Sequence, residues 1–256
     1  MGFQGKIVES KKSLGQNFFI NKNLAKQISD TVVQESPDLI VEIGPGTGSF
    51  TQFLSQRNFK LILVEKDNSL AESLTKNYPS AIVVNTDFLE WNFDELVEYK
   101  EKRILFFGSL PYNVSKPIIK KIIESKYFNT NSYFIIQKEV AQKYTTLEPN
   151  SSYLSVWTHF YATATRLLDI SPESFKPRPR VNSSLVRFTP SEFNPDINKE
   201  AFEKFLKVCF KQPRKTLRNN LKNSFAFENE KANELLSQRP QHLSLNEFLF
   251  LFSNIK

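Results

Sequence analysis

Arg103-Ile104-Leu105-Phe106-Phe107-Gly108-Ser109-Leu110-Pro111-Tyr112-Asn113 decides how the chain is read. A bulky apolar run of strand length, Arg103 to Phe107, passes straight into a polar-Leu-Pro-aromatic turn. Open α/β sheets bind their ligands at the carboxyl ends of strands, so the turn at Ser109 to Tyr112 is the first candidate site. Taken alone, it is a strand exit that contains a proline. The sequence on either side gives it weight.

Toward the N-terminus, Asp38 to Ile43 has a buried-strand pattern and runs into Gly44-Pro45-Gly46-Thr47-Gly48, with a helical pattern from Ser49 to Arg57. Strand, glycine turn and helix let the backbone approach a nucleotide-like ligand closely, with a helix N-terminus aimed at it. The spacing G-x-G-x-G differs from the dinucleotide fingerprint, and no Gly-Lys-Ser/Thr follows to make a phosphate loop. A second strand, Lys60 to Val64, ends in Glu65, twenty-one residues beyond Gly44, where a carboxylate can accept both hydroxyls of a ribose. A third, Ala81 to Val84, ends in Asn85-Thr86-Asp87-Phe88, which offers a carboxylate and an aromatic face to a purine. Before these lies Lys11-Lys12-Ser13-Leu14-Gly15-Gln16-Asn17-Phe18-Phe19, then a helical pattern over Asn23 to Val33.

Toward the C-terminus, Ser132 to Ile136, Ala164 to Leu168 and Leu185 to Phe188 complete a set of seven strands, with helices such as Lys116 to Ser125 and Lys138 to Thr146 between them. Alternating strands and helices predict an α/β fold with a seven-stranded, mostly parallel sheet covered on both faces. After Pro190 the pattern turns helical, at Asn198 to Phe210, Thr216 to Phe227 and Leu245 to Phe252, with Pro213 and Pro240 between. The expected organisation is a catalytic domain over 1–190 and a small all-helical domain over 191–256, joined near Thr189 to Asn194.

With 256 residues, 40% hydrophobic and 24% charged, the chain can bury a substantial core. No stretch reaches the ~20 apolar residues needed to span a bilayer, and no apolar signal core lies between Met1 and Ser13; a cytoplasmic protein is expected. The single cysteine, Cys209, excludes an internal disulfide, and His159 and His242 lie too far apart in sequence to suggest a metal centre, so no metal is expected. Net charge is +7. From Lys204 to Lys222 there are seven basic residues and no acid, and Lys176, Arg178, Arg180 and Arg187 are likewise unopposed between Phe175 and Thr189. Two such stretches suit a phosphate-bearing partner, with nucleic acid first among them.

In order along the chain, Gly15 to Phe18, Val41 to Gly48, Leu110 to Asn113, Gln137-Lys138-Glu139-Val140-Ala141, Phe175-Lys176-Pro177-Arg178-Pro179-Arg180-Val181-Asn182-Ser183 and Pro213 to Leu221 resemble the blocks of one family. It is the family of small-subunit ribosomal RNA adenine N6,N6-dimethyltransferases, the KsgA-type group. The resemblance implies a Rossmann-like methyltransferase domain, a helical RNA-binding C-terminal domain, and S-adenosyl-L-methionine as cofactor. It implies a monomer acting on small-subunit rRNA within a pre-30S-like particle, at two adjacent adenines of the 3'-terminal hairpin loop. Carried over by position, Asn17 and Phe19 fold over the cofactor, Gly44 and Gly46 lie against its methionine part, Glu65 holds the ribose, and Asp87 and Phe88 meet the adenine. Arg178, Arg180, Arg214, Lys215 and Arg218 are the expected rRNA contacts.

At the turn itself, an adenine N6 lone pair is delocalised into the ring, so the amine is a poor nucleophile until its hydrogens are held out of plane. The side chain at 109 and the carbonyl of Leu110 are the acceptors for those hydrogens. Pro111 stiffens the turn, and Tyr112 and Phe175 are the expected stacking faces for a base removed from its own stack. The family usually has Asn where this chain has Ser109, whose hydroxyl reaches less far. A second departure is the shortened connection between Ala141 and Val156. Two other readings share parts of this pattern: a large-subunit rRNA adenine methyltransferase of the macrolide-resistance type, which lacks the Pro213 to Leu221 block, and a non-catalytic RNA-binding assembly or transcription factor on the same fold.

Overall fold

The computed structural model describes residues 17–192, 196–222, 224–227 and 230–255. Lys11 to Gln16, Phe193, Asn194 and Asn223 of the stretches singled out above lie outside them. In the N-terminal part, β1 (Phe18–Phe19) precedes α1 (Lys22–Val33), which the Asn21 side chain caps by accepting from the Leu24 amide. Then β2 (Leu39–Ile43), α2 (Thr51–Leu54), β3 (Lys60–Val64), α3 (Asn68–Asn77) and β4 (Ile82–Val84) alternate, with Asp67 capping α3. Next come β5 (Ile104–Ser109), α4 (Ser115–Ile123), β6 (Ser132–Gln137), α5 (Lys138–Thr145), α6 (Tyr153–Tyr161), β7 (Ala162–Ile170), β8 (Phe175–Lys176) and β9 (Ser183–Pro190). The remainder is helical: α7 (Lys199–Cys209), α8 (Leu217–Leu221), α9 (Glu230–Ser237) and α10 (Leu245–Ser253).

The bulky apolar runs all join one seven-stranded sheet of order β4-β3-β2-β5-β6-β9-β7. Pairs β4–β3, β3–β2, β2–β5 and β5–β6 are parallel, whereas β6–β9 is antiparallel. Strands buried on both faces read as continuous apolar runs, and β2 is buried at all five residues. Strand order reverses between β2 and β5, where Val41 stands beside Phe106 and Glu42 beside Phe107. The glycine turn after β2 and the Leu-Pro-Tyr turn after β5 therefore leave the sheet side by side, at the switch point where such sheets bind ligands.

Strand β5 is longer than the sequence pattern suggests. Gly108 and Ser109 still pair with Phe134 and Ile135 of β6, and the Leu110 amide donates to the Ile135 carbonyl at 3.0 Å. Gly108 is required there, because a Cβ would stand 2.7 Å from the Ile43 carbonyl oxygen. Helix α2 is shorter than Ser49 to Arg57, and α8 ends at Leu221 instead of reaching Phe227. A separate two-stranded ribbon joins β1 to β8, with Phe19 opposite Phe175.

Two compact units result, one formed by the chain up to Ala141 with Arg166–Pro190, the other by Gln142–Thr165 with the chain from Ser191 onward. One division falls at Pro190, beside the junction read from the sequence, but Gln142–Thr165 departs from the expected 1–190 domain. The reason is α6, whose Phe160 packs on Phe202 of α7 at 5.0 Å between ring centroids. The second unit has an aromatic core of its own, in which Phe202 and Phe205 of α7 contact Phe252 of α10 and Phe210 contacts Phe248. Cys209 is buried in it, with burial pushing its thiol well above the ordinary range.

Candidate active site

The carboxyl ends of β2, β3, β4 and β5 open onto one cavity in the first unit. Its lining includes Asn17, Phe18, Ile43, Gly44, Gly46, Val64, Glu65, Lys66, Thr86, Asp87 and Phe88, continues along Ser109 to Val114, and takes in Ile118 and Phe175. The glycine turn, the acids of two further strand exits and the turn after β5 are thus brought together as the strand pattern requires.

Gly44 and Gly46 hold φ of +62° and +58°, where a side chain is strained. A Cβ on Gly44 would meet nothing within 4 Å, so this face of the turn is open to the cavity, while one on Gly46 would stand 3.1 Å from the Phe18 ring. The Gly46 amide donates to Glu65 Oε2 at 3.0 Å and the Asp67 amide to Glu65 Oε1 at 2.9 Å. Each carboxylate oxygen keeps a free lone pair for a ligand hydroxyl, and the side chain is held before any ligand arrives. Burial lifts the Glu65 carboxyl above its usual range, with the Asp67 and Gly46 amides pulling it back. Beneath the turn, Glu42 is buried and accepts from Thr51 Oγ1 at 2.8 Å.

Asp87 Oδ1 accepts from the Leu89 amide at 2.9 Å, and Oδ2 pairs with Lys66 Nζ at 2.7 Å. Burial raises the Asp87 carboxyl, but the bonds from Lys66 and Leu89 and the charges of Lys66 and Lys121 outweigh it and leave it below its usual range. Lys66 was not singled out in the sequence. Its only local signal is that it follows Glu65 at a strand exit.

At the turn after β5, Leu110 is buried, and neither its carbonyl nor the Ser109 hydroxyl makes a hydrogen bond among the described residues. Both acceptors are therefore uncommitted. The Tyr112 hydroxyl is tied to Ser183 Oγ at 2.8 Å, and burial raises its pKa. Phe175, far from most of the other lining residues in sequence, is brought to the cavity wall by the β1–β8 ribbon; it is 3% exposed, with most of its ring packed in the core beside Phe19.

Phe19 is a correction. It is 4% exposed and packs on Phe50 at 4.7 Å and on Phe175 at 5.1 Å, within the core, while its neighbour Phe18 lines the cavity. Successive residues of a strand face opposite ways, so only one of the pair can line the site. Alternation says that the two rings diverge, and the pairing of β1 with β8 sets which of them faces the cavity.

The basic residues are also less uniform than their sequence suggests. Lys204 pairs with Glu200 and Lys207 with Glu203, both at 2.7 Å, because the helix brings each lysine over an acid four residues earlier. In the second unit, Arg218 donates to the Asn233 carbonyl and Oδ1 at 3.3 Å, whereas Arg214 and Lys215 are exposed and form no ion pair among the described residues. In the first unit, Arg178 pairs with Glu173 at 3.1 Å and Arg180 is exposed without such a pair among the described residues.

Comparison with known proteins covers nearly the whole chain, the glycine turn, Glu65 and the Leu-Pro-Tyr turn included. The sequence profile of the ribosomal RNA adenine dimethylases matches residues 7–251. The chain belongs to the ribosomal RNA adenine dimethylase family. It is accordingly an S-adenosylmethionine-dependent methyltransferase. Among relatives, it is 32% identical over 248 residues to ribosomal RNA small subunit methyltransferase A of Chlorobium phaeobacteroides, covering 96% of this chain and 91% of that one. It is 34% identical over 252 residues to the protein of the same name from Francisella tularensis, covering 95% and 96%. Two crystal structures share the dimethylase fold. A dimethyladenosine transferase from Plasmodium falciparum has a TM-score of 0.76 at 23% identity over 91% of this chain and 95% of that one. The 23S rRNA methyltransferase ErmE has 0.73 at 22% over 93% and 99%. Such likenesses speak for the fold alone.

Proposed function

We propose that this dimethylase transfers methyl groups to adenine N6 of small-subunit ribosomal RNA, at two adjacent adenines of the 3'-terminal hairpin loop, as a monomer acting in the cytoplasm on an assembling pre-30S-like particle. The observation that carries the proposal is the convergence of Gly44, Glu65, Asp87 and the Ser109 to Tyr112 turn on one cavity, in a chain whose near full-length relatives bear the name ribosomal RNA small subunit methyltransferase A.

The residues fit the cofactor. The open face of Gly44 admits a close backbone approach, Glu65 presents two acceptor lone pairs to a ribose, and Asp87 with Phe88 offers an acceptor and an aromatic wall to an adenine. When bound, S-adenosylmethionine would supply the electrophilic methyl group, its sulfonium S–CH3 bond breaking as the new bond forms and S-adenosylhomocysteine leaving as the neutral thioether. The chain's own part is to hold the target amine. Ser109 and the Leu110 carbonyl accept the two N6 hydrogens and keep the nitrogen pyramidal, so that its lone pair is free to form the new N–C bond. Tyr112, braced by Ser183, and Phe175 hold the extruded base by stacking. The ammonium formed at N6 is acidic enough to release its proton to water, so no general base is required of the protein. Asn17 and Phe18 complete the wall over the glycine turn. Arg178, Arg180, Arg214, Lys215 and Arg218 contact rRNA phosphates, which positions the substrate without choosing the base.

Transfer of tritiated methyl groups from S-adenosylmethionine to small-subunit particles from a strain lacking its own enzyme tests this directly. Incorporation into small-subunit RNA is expected. Incorporation only into large-subunit RNA would place the protein with the macrolide-resistance enzymes, and particle binding without transfer would make it a non-catalytic assembly factor.

A further inference from the structure

Residues 87–91 form a single hydrogen-bonded turn. The Asp87 carbonyl accepts from the Glu90 amide at 2.9 Å and the Trp91 amide at 3.0 Å, and its side chain caps the start through the Leu89 amide. Asp87 and Phe88, at the front of the turn, line the cavity. The carbonyls at the back converge on one cation. Lys121 Nζ donates to the Phe88 carbonyl at 3.0 Å, to the Leu89 carbonyl at 2.8 Å and to the Trp91 carbonyl, so all three ammonium hydrogens are used. The same ammonium lies 5.1 Å from the Phe93 ring centroid and 5.7 Å from that of Phe88.

Lys121 belongs to α4, which starts directly after the Ser109 to Val114 segment and also contributes Ile118 to the cavity. One side chain therefore ties the helix behind the methyl-acceptor turn to the turn that carries Asp87 and Phe88. Without it, three carbonyls lose their common donor, and the back of that turn is left to the packing of the Phe88, Trp91 and Phe93 rings.

We propose that Lys121 is a positioning residue for the adenosine end of S-adenosylmethionine, holding Asp87 and Phe88 in register with the acceptor turn. This rests on the reading of the cavity as the cofactor site. It differs from a merely stabilising lysine in one respect: cofactor affinity depends on Lys121 although Lys121 does not touch the cofactor.

The test uses the purified full chain, with calorimetric titration of S-adenosylhomocysteine, binding of small-subunit particles, and steady-state transfer. Lys121→Met keeps the aliphatic stem and removes the donors. Its Kd for S-adenosylhomocysteine is expected to rise about tenfold, as when a part-buried hydrogen-bond network loses its donor. KM for S-adenosylmethionine rises in parallel, while kcat at saturation and particle affinity stay within about twofold of wild type. Lys121→Gln retains an amide donor and serves if the Met variant does not fold; its Kd should fall between the two. Wild-type Kd in a folded Met or Gln variant, even one with a lowered Tm, overturns the proposal, and so does an equal loss of cofactor and particle binding. Asp87→Ala is the control for the site reading. If wild type binds S-adenosylhomocysteine and Asp87→Ala binds as well, the cavity reading itself has failed, independently of Lys121.

Discussion

Ser109 is the last residue of β5, and its hydroxyl is the shortest acceptor able to reach a ligand from that position. The family usually places a longer Asn amide there. On the proposed reading Ser109 serves the reacting nitrogen, and Ser109→Ala should lower kcat by about ten- to a hundredfold and leave the Kd for S-adenosylmethionine within about twofold. Single-turnover transfer alongside cofactor titration checks this, and an unchanged kcat would remove Ser109 from the mechanism. Glu42 offers a different kind of residue-level test. Burial, opposed by the Thr51 hydrogen bond and aided by the charge of Glu65, pushes its pKa from 4.5 up to about 8. The unfolded chain gives up this proton near 4.5 and the folded chain holds it to about 8, so each step upward between those values favours the unfolded state. Glu42→Gln removes the titration. Its Tm relative to wild type should therefore climb from pH 5 to pH 8; a difference that stays flat would mean Glu42 is ionised in the fold.

Among elements, those with strong local signals were legible. The five strands β2, β3, β4, β5 and β6 follow the bulky apolar runs to within one or two residues at each end, and four of them, β2, β3, β5 and β6, are buried along most of their length, which keeps their sequences nearly continuously apolar. The same logic located the cavity, since strand exits carry the ligand-reaching side chains. Three features were not legible, each for a physical reason. Helix α6, Tyr153–Tyr161, is apolar around most of its circumference, so its sequence shows no 3.6-residue period; the Ser152 capping box is its clearest local signal. The β1–β8 ribbon is two residues long on each side and pairs segments far apart in sequence, so only tertiary packing defines it. Its consequence for the cavity is large, because it buries Phe19, the residue expected over the cofactor, and turns Phe18 and Phe175 toward the cavity. Lys121 was hidden for a third reason. A lysine on an amphipathic helix reads as solvated, and nothing local to α4 tells that its partners are carbonyls of residues 88–91.

At the level of the whole molecule, the excess of positive charge is divided between two units and only part of it is available. An exposed ion pair is worth about 0–1 kcal/mol, so Glu200, Glu203 and Glu173 can each release a lysine or arginine to a phosphate, but only in exchange for a bond already present. Arg214 and Lys215 have no such prior partner among the described residues and are exposed, so they are the strongest candidates in the second unit to displace counterions from RNA. Neutralising both, as Arg214→Gln with Lys215→Gln, leaves the buried core of the unit intact and should leave Tm unchanged. The logarithm of particle affinity against the logarithm of salt concentration should then flatten by about 0.7 to 0.9 for each phosphate that is no longer neutralised. Lys204→Gln, which frees Glu200 as it removes a cation, should change the slope less. The informative comparison is between slope and intercept. Weaker binding with the wild-type slope would mean that Arg214 and Lys215 shape the second unit without touching phosphate, whereas a flattened slope at unchanged kcat for bound particles would assign them to holding the RNA while the first unit performs the transfer.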